Sequence, residues 1–286
     1  MVPCRTIFAV LALFGLVTGE VVAQPAPRPA KPEMIENCPG LVANRLPLLK
    51  PVASRSAAFQ PASLASDQVR ISYSGHSTFM IESPAGVKIA TDYNDYVKPR
   101  ALPDIVTMNH AHSTHYTDRP DPGITHVLRG WGPSPDKPAR HDLQFRDVRV
   151  RNVPTNIRSW GGETERHGNS IFIFEIANLC IAHLGHLHHT LSQQQLNEIG
   201  RIDAVMVPVD GGVTLDLDGM AEVLQALKAP LMIPMHYFST YSLRRFLSTL
   251  GEKSVEVEMS EVSSVVVSKA TLPAKPKLLV LPGRTF

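Results

Sequence analysis

From residue 69 onward, apolar and polar positions alternate in short runs separated by turn residues, the texture of half-buried strands. Residues 69–73, 78–82, 87–91 and 105–108 form one such series, and 148–153, 171–176 and 179–182 a second. The period then lengthens. Ser192 and Gln195 make a capping box flanked by Leu191 and Leu196 as a hydrophobic staple, which predicts a helix starting at Gln193. Met220, Val223, Leu224 and Leu227 follow helical spacing, as do Leu243, Phe246, Leu247 and Leu250, with Ser242 as N-cap and Gly251 just past the C-terminus. Strands are expected between and after these helices, at 204–209, 231–235, 255–257, 264–267 and 278–281. Many strands early and βαβ units late predict an α/β protein of two sheets with outer helices.

The amino-terminal region has a different character. One positive charge in residues 1–5, an apolar run at 7–17 too short to span a bilayer, and Val21-Val22-Ala23 predict a secretory signal peptide removed after Ala23. Residues 24–66 read as a Pro/Ala-rich tether and N-terminal extension, and residues 67–286 as the folded domain. Export to a periplasmic or extracellular setting gives the cysteines of the mature chain, Cys38 and Cys180, a compartment in which a disulfide persists. Pairing of the two and burial of Cys180 as a small apolar residue are equally compatible with the pattern.

Composition narrows the functional classes. With 28 Lys+Arg against 26 Asp+Glu, the net charge of +2 supplies no bulk attraction for nucleic acid. At 43% hydrophobic residues the 286-residue chain is neither a disordered nor a polytopic membrane protein. A small-molecule substrate is the expected partner. P-loop, Rossmann and GxSxG patterns are all lacking in the sequence.

The chemistry lies in the histidines. His110, His112 and His115 follow the strand predicted at 105–108, His183, His186, His188 and His189 crowd the end of the next strand, and His236 ends another. On extended chain, positions i and i+2 turn to the same side, and a following turn brings a third ring to the same point. Clustered imidazoles without a shared partner are costly, so the pattern predicts a metal site built from a subset of them. His126 and His141 read as structural, and His183, His188 and His189 as either ligands or supporting groups. Trp131, Trp160, Tyr237 and Phe238 are candidates for the pocket wall.

Asp104-Ile-Val-Thr-Met-Asn-His110-Ala-His112-Ser-Thr114-His115 resembles the HxHxDH signature of metallo-β-lactamase-fold hydrolases. Gly75-His76-Ser77-Thr78, Ala90-Thr91-Asp92, Ile181-Ala-His-Leu-Gly-His186 and Pro234-Met-His236 follow in the order of the branch that includes L-ascorbate-6-phosphate lactonase and N-acylphosphatidylethanolamine phospholipase D. The resemblance implies an αββα sandwich of two mixed sheets. It also implies His110 and His112 as ligands of a first metal and His115 and His236 as ligands of a second. Thr114 and His186 stand where that family carries aspartates, the second of them bridging both ions. Asn156 is the nearest match to its third first-site histidine, and His167 the nearest histidine. Loss of both carboxylates disfavours two adjacent cations, whereas His110, His112, His115, His186 and His236 suffice for one nitrogen-loving ion, zinc first and iron second. The expected activity is hydrolysis of an ester, lactone or phosphoester by a metal-bound water, with Asp210 or His76 shuttling the proton. The competing expectations are a degenerate domain that binds without turnover, and thiol oxidation at a single iron.

Overall fold

The computed structural model describes Cys38 and residues 63–134, 136–159, 161–250 and 255–283. The expected signal segment 1–23, nearly all of the 24–66 extension, Trp160 and Gly251 lie outside the described residues. Strands β1 (Val69–Gly75), β2 (Thr78–Glu82), β3 (Lys88–Ala90), β4 (Ile105–Met108) and β5 (His126–Arg129) build most of a first sheet. The second sheet begins with β6 (Asp142–Phe145), β7 (Val148–Arg158), β8 (Thr164–Ile176) and β9 (Leu179–His183). Helix α1 (Gln193–Ile199), β10 (Ala204–Pro208), α2 (Leu217–Leu227), β11 (Leu231–Met235) and α3 (Thr240–Leu250) follow, and then β12 (Glu256–Met259), β13 (Ser264–Val267) and β14 (Lys277–Val280). The first sheet runs β13-β1-β2-β3-β4-β5 and the second β12-β14-β11-β10-β9-β8-β7-β6.

Alternation along the strands divides the core into layers. Phe172, Phe174, Ile181, Met206 and Ile233 point at Ile71, Phe79, Ile81, Ile89 and Ile105 of the first sheet. Their neighbours Ile173, Cys180, Ala182, Val205 and Val207 point the other way, at Met220, Val223, Leu224, Leu243 and Phe246 of the helices. The strands β9, β10 and β11 are parallel and buried at every position, which explains their unbroken apolar runs. Over the outer face of the first sheet, Tyr93, Tyr116 and Ile124 from the connections around β4 cover Ala90, Val106 and Met108. Among the described residues the helices lie on the second sheet only, none long and apolar enough to cross a membrane.

Three local expectations change. β7 and β8 run past their apolar stretches to Arg158 and back from Thr164, because each supplies the other's backbone partners through a polar stretch that hydrophobic alternation does not mark. β5 and β6 are edge strands with exposed positions, invisible to the same criterion. Helix α3 starts at Thr240, so Ser242 sits inside its first turn, and the Ser239 hydroxyl accepts from the Ser242 amide in its place. The capping box of α1 forms as its sequence dictates.

Cys38 and Cys180 form a disulfide across a sequence separation of 142 residues, with their Cα atoms 5.9 Å apart. Of the two readings open in the sequence, pairing is the one realised, and it fastens the N-terminal extension to β9.

Candidate metal centre

Functional side chains collect where strands of both sheets end. Parallel strands β4, β9, β10 and β11 release His112 and His115, His186, Asp210 and His236 from their carboxyl ends, and the β1–β2 turn adds His76. Two of these positions, and Asp92 just after β3, hold unusual backbone: His76, Asp92 and His236 have φ of 54°, 41° and 56°, a left-handed conformation that non-glycine residues adopt at a cost. Gly185, at φ 60°, allows the chain to pass so close to Asn109 and Asn169 that a Cβ would fall on both side chains. Those asparagines fix the loops: Asn109 donates to Asp92 and accepts from the Ser170 amide, and Asn169 accepts from the His186 amide.

His112, His115, His186 and His236 converge with one ring nitrogen each, all within 4.8 Å of one another. Their remaining nitrogens are held from behind. His115 Nδ1 lies 2.5 Å from Asp92 Oδ2 and His236 Nδ1 3.0 Å from Asp210 Oδ1, both pairs buried. His112 Nδ1 meets Thr114 Oγ1 at 2.8 Å, and His186 Nδ1 meets His188 Nε2 at 2.7 Å. Burial, reinforced by the neighbouring rings, pulls His115 and His186 well below the ordinary histidine range, so both are neutral and keep a lone pair. The Nε2 atoms of His115 and His236 are buried without a hydrogen-bond partner. An orphaned buried lone pair backed by a carboxylate on the far nitrogen is the arrangement of a metal-ligating imidazole. Nitrogen donors of this kind fit a transition-metal ion.

Four of the five histidines proposed from sequence as ligands thus come together, and His110 does not. Its Nδ1 pairs with Glu165 at 2.7 Å, and its ring lies beside Trp131 and Tyr116, because β4 ends at Met108 and the i, i+2 alternation of extended chain does not hold in the turn beyond it. Asn156 and His167 bond to each other through the His167 amide, away from the cluster.

Asp210 also takes a part other than the expected proton shuttle. Its oxygens accept from His236, the Thr214 hydroxyl and the amides of Gly212, Val213 and Thr214. Burial raises its pKa, but those bonds outweigh burial and hold the carboxyl well below the usual range, which makes it a holder of His236 and a poor base. His76 is pulled down to about 3 by burial and by His236, and so stays neutral, its ring centroid 4.4 Å from that of His236. His183 is structural, with Nε2 on the Ser77 carbonyl at 2.9 Å. His188, brought down to about 4 by burial and by Arg158, supports His186, a role that its sequence position left open. Glu165, which holds His110, and the Arg158 amide, which donates to His188, carry no signal in the sequence, since no local pattern marks contacts between the β7–β8 hairpin and loops 55 and 30 positions away.

The model of the β-lactamase superfamily domain matches residues 70–236, more than half of the chain and the whole span from β1 to His236. The chain belongs to that family. A UPF0173 metal-dependent hydrolase from Thermoplasma acidophilum is 24% identical over 225 residues, covering 70% of this chain and 99% of the relative. A second, from Thermoplasma volcanium, is 26% identical over 189 residues, covering 59% and 83%. Among solved structures, a Thermotoga maritima protein described as a Zn-dependent hydrolase of the metallo-β-lactamase superfamily superposes with a TM-score of 0.55 at 26% identity, over 76% of this chain and all of that one. These likenesses agree with the two-sheet architecture; of the outer helix layers expected of an αββα sandwich, the described residues show the one on the second sheet.

Proposed function

We propose that this chain, a metal-dependent hydrolase of the metallo-β-lactamase superfamily, works with one divalent transition-metal ion, zinc before iron, held in the space where His112, His115, His186 and His236 converge. The observation that carries the reading is the pair of buried, unpartnered Nε2 atoms on His115 and His236, each backed by a carboxylate. Asp92 and Asp210 are engaged as those backing groups, and Thr114 and His186 bring no carboxylate, so nothing in the quartet bridges two cations. When bound, such an ion polarises a carbonyl or phosphoryl oxygen and makes water acidic enough to attack at neutral pH. The protein orients the donors, keeps His76 neutral beside them, and presents the exposed ring of Phe238 next to His76 and His236, where a substrate's apolar part would rest.

The bonds that fit this site are an ester, lactone or phosphoester. Export is part of the proposal, supported by the Cys38–Cys180 disulfide and by the signal-like residues 1–23. The test is elemental analysis of protein recovered from the periplasm or medium of an exporting host, followed by hydrolysis assays on panels of the three ester classes before and after chelation. About one zinc or iron per chain, with activity removed by chelator and restored by the metal, is the expected result. Two tightly held ions per chain would refute the single-ion site, and a mature protein retaining residues 1–23 would refute processing of the signal.

A further inference from the structure

The quartet's outer nitrogens do not all have the same kind of partner, and the exception determines what His186 offers. A neutral imidazole has one N–H and one lone pair, so the bond at one nitrogen fixes the other. The backbone amide of Arg158 can only donate, and it points at His188 Nδ1. That nitrogen therefore carries the lone pair, and the proton of His188 is on Nε2. Nε2–H faces His186 Nδ1 at 2.7 Å and donates to it, which places the proton of His186 on its own Nε2. There it meets His112 Nε2 at 3.1 Å, so His112 accepts and sends its Nδ1–H to Thr114 Oγ1 at 2.8 Å. His115 and His236 reach the same Nδ1–H tautomer as His112 through Asp92 and Asp210. Three rings thus turn lone pairs inward and the fourth turns an N–H inward.

We propose that the ion is held by His112, His115 and His236, and that His186, locked by His188 and the Arg158 amide, is a hydrogen-bond donor aimed at an anionic or carbonyl oxygen of the substrate. The inference rests on the metal reading above and refines it. In the structure the His186 N–H rests on the lone pair of His112. With the His112 lone pair committed to a metal, the His186 N–H would be free to face an oxygen in the space among the rings, where one that develops negative charge is the acceptor that gains most. The substrates favoured are those whose reacting oxygen gains charge, as in ester, lactone and phosphoester hydrolysis.

Zinc titration against a competing chelator, with melting curves to verify folding, separates ligands from donor. His115→Ala and His236→Ala should weaken zinc by about 100-fold or more, whereas His186→Ala and His186→Gln should stay within about threefold of the unsubstituted protein. Long-range proton–nitrogen NMR on the unsubstituted, ¹⁵N-labelled protein should show His186 as the Nε2–H tautomer both without and with zinc, and His112, His115 and His236 as Nδ1–H. His188→Phe should lower the Nε2–H share at His186. A loss for folded His186→Ala equal to that for His115→Ala, or an Nδ1–H His186 in the zinc-loaded protein, overturns the donor assignment while leaving the metal reading intact. An unchanged tautomer in His188→Phe overturns the locking role. Failure of the unsubstituted protein to take up zinc, iron or cobalt overturns the metal reading and the donor with it.

Discussion

The i, i+2 rule that located the histidines also explains where it stops working. It placed His110 and His112 on one side of an extended strand, but β4 ends at Met108, and beyond it the chain turns, the His115 amide donating to the His112 carbonyl at 2.8 Å. What brings His115 inward is Asp92, a residue 23 positions away in the sequence, and no spacing encodes such a contact. His110→Ala should therefore leave metal affinity unchanged, while His112→Ala lowers it sharply, as calorimetric titration would show. Asp92→Asn and Asp210→Asn keep size but weaken the grip on the Nδ1–H groups, with an expected loss of about 10–100-fold in metal affinity. Equal losses in His110→Ala and His112→Ala would return His110 to the site.

At the level of elements, the strands that fill the interior were legible because burial on both faces or on one leaves a readable period. Edge strands β5 and β6 were not, since half their side chains meet water and any polar residue satisfies them. The loop between β9 and α1 shows a further limit. Its Gly185 appears in sequence only as part of the Ile181–His186 motif, yet the position needs both a left-handed backbone and the absence of a side chain against Asn109 and Asn169. Gly185→Ala should cost about 1 kcal/mol for the backbone alone, plus the displacement of whichever asparagine yields. Because Asn109 holds Asp92, and Asp92 holds His115, the same variant should also alter metal affinity, and denaturant melts paired with metal titration would register both effects.

For the molecule as a whole, the site makes the fold sensitive to acid. His76, His115, His183, His186 and His188 are buried and have pKa values below that of free histidine, so the folded state stays neutral where the unfolded chain binds protons. Between the unfolded pKa near 6.5 and the lower folded values, stability then falls as pH falls, by about 1.4 kcal/mol per pH unit for each such proton. Above that window these groups contribute no slope. Melting temperatures of metal-free protein should be flat from pH 7 to 8 and drop steeply below about pH 6.5; a flat profile down to pH 5 would mean that the rings are charged in the fold. The disulfide acts at the same scale. Replacing Cys38 and Cys180 by serine should lower stability by about 2–5 kcal/mol, read from denaturant midpoints.

That bond also divides the site in a way that no hydrogen bond does. The chain from Cys38 to Cys180 is a closed covalent ring, and it contains His76, Asp92, His112 and His115, whereas His186, Asp210 and His236 lie on the open tail beyond it. A single proteolytic nick anywhere within the ring leaves both products attached, one band on a non-reducing gel and two after thiol treatment. A nick in the tail between Gly200 and Asp210, by contrast, would cut the covalent path from His186 to His236, leaving only packing to hold the two halves of the centre together.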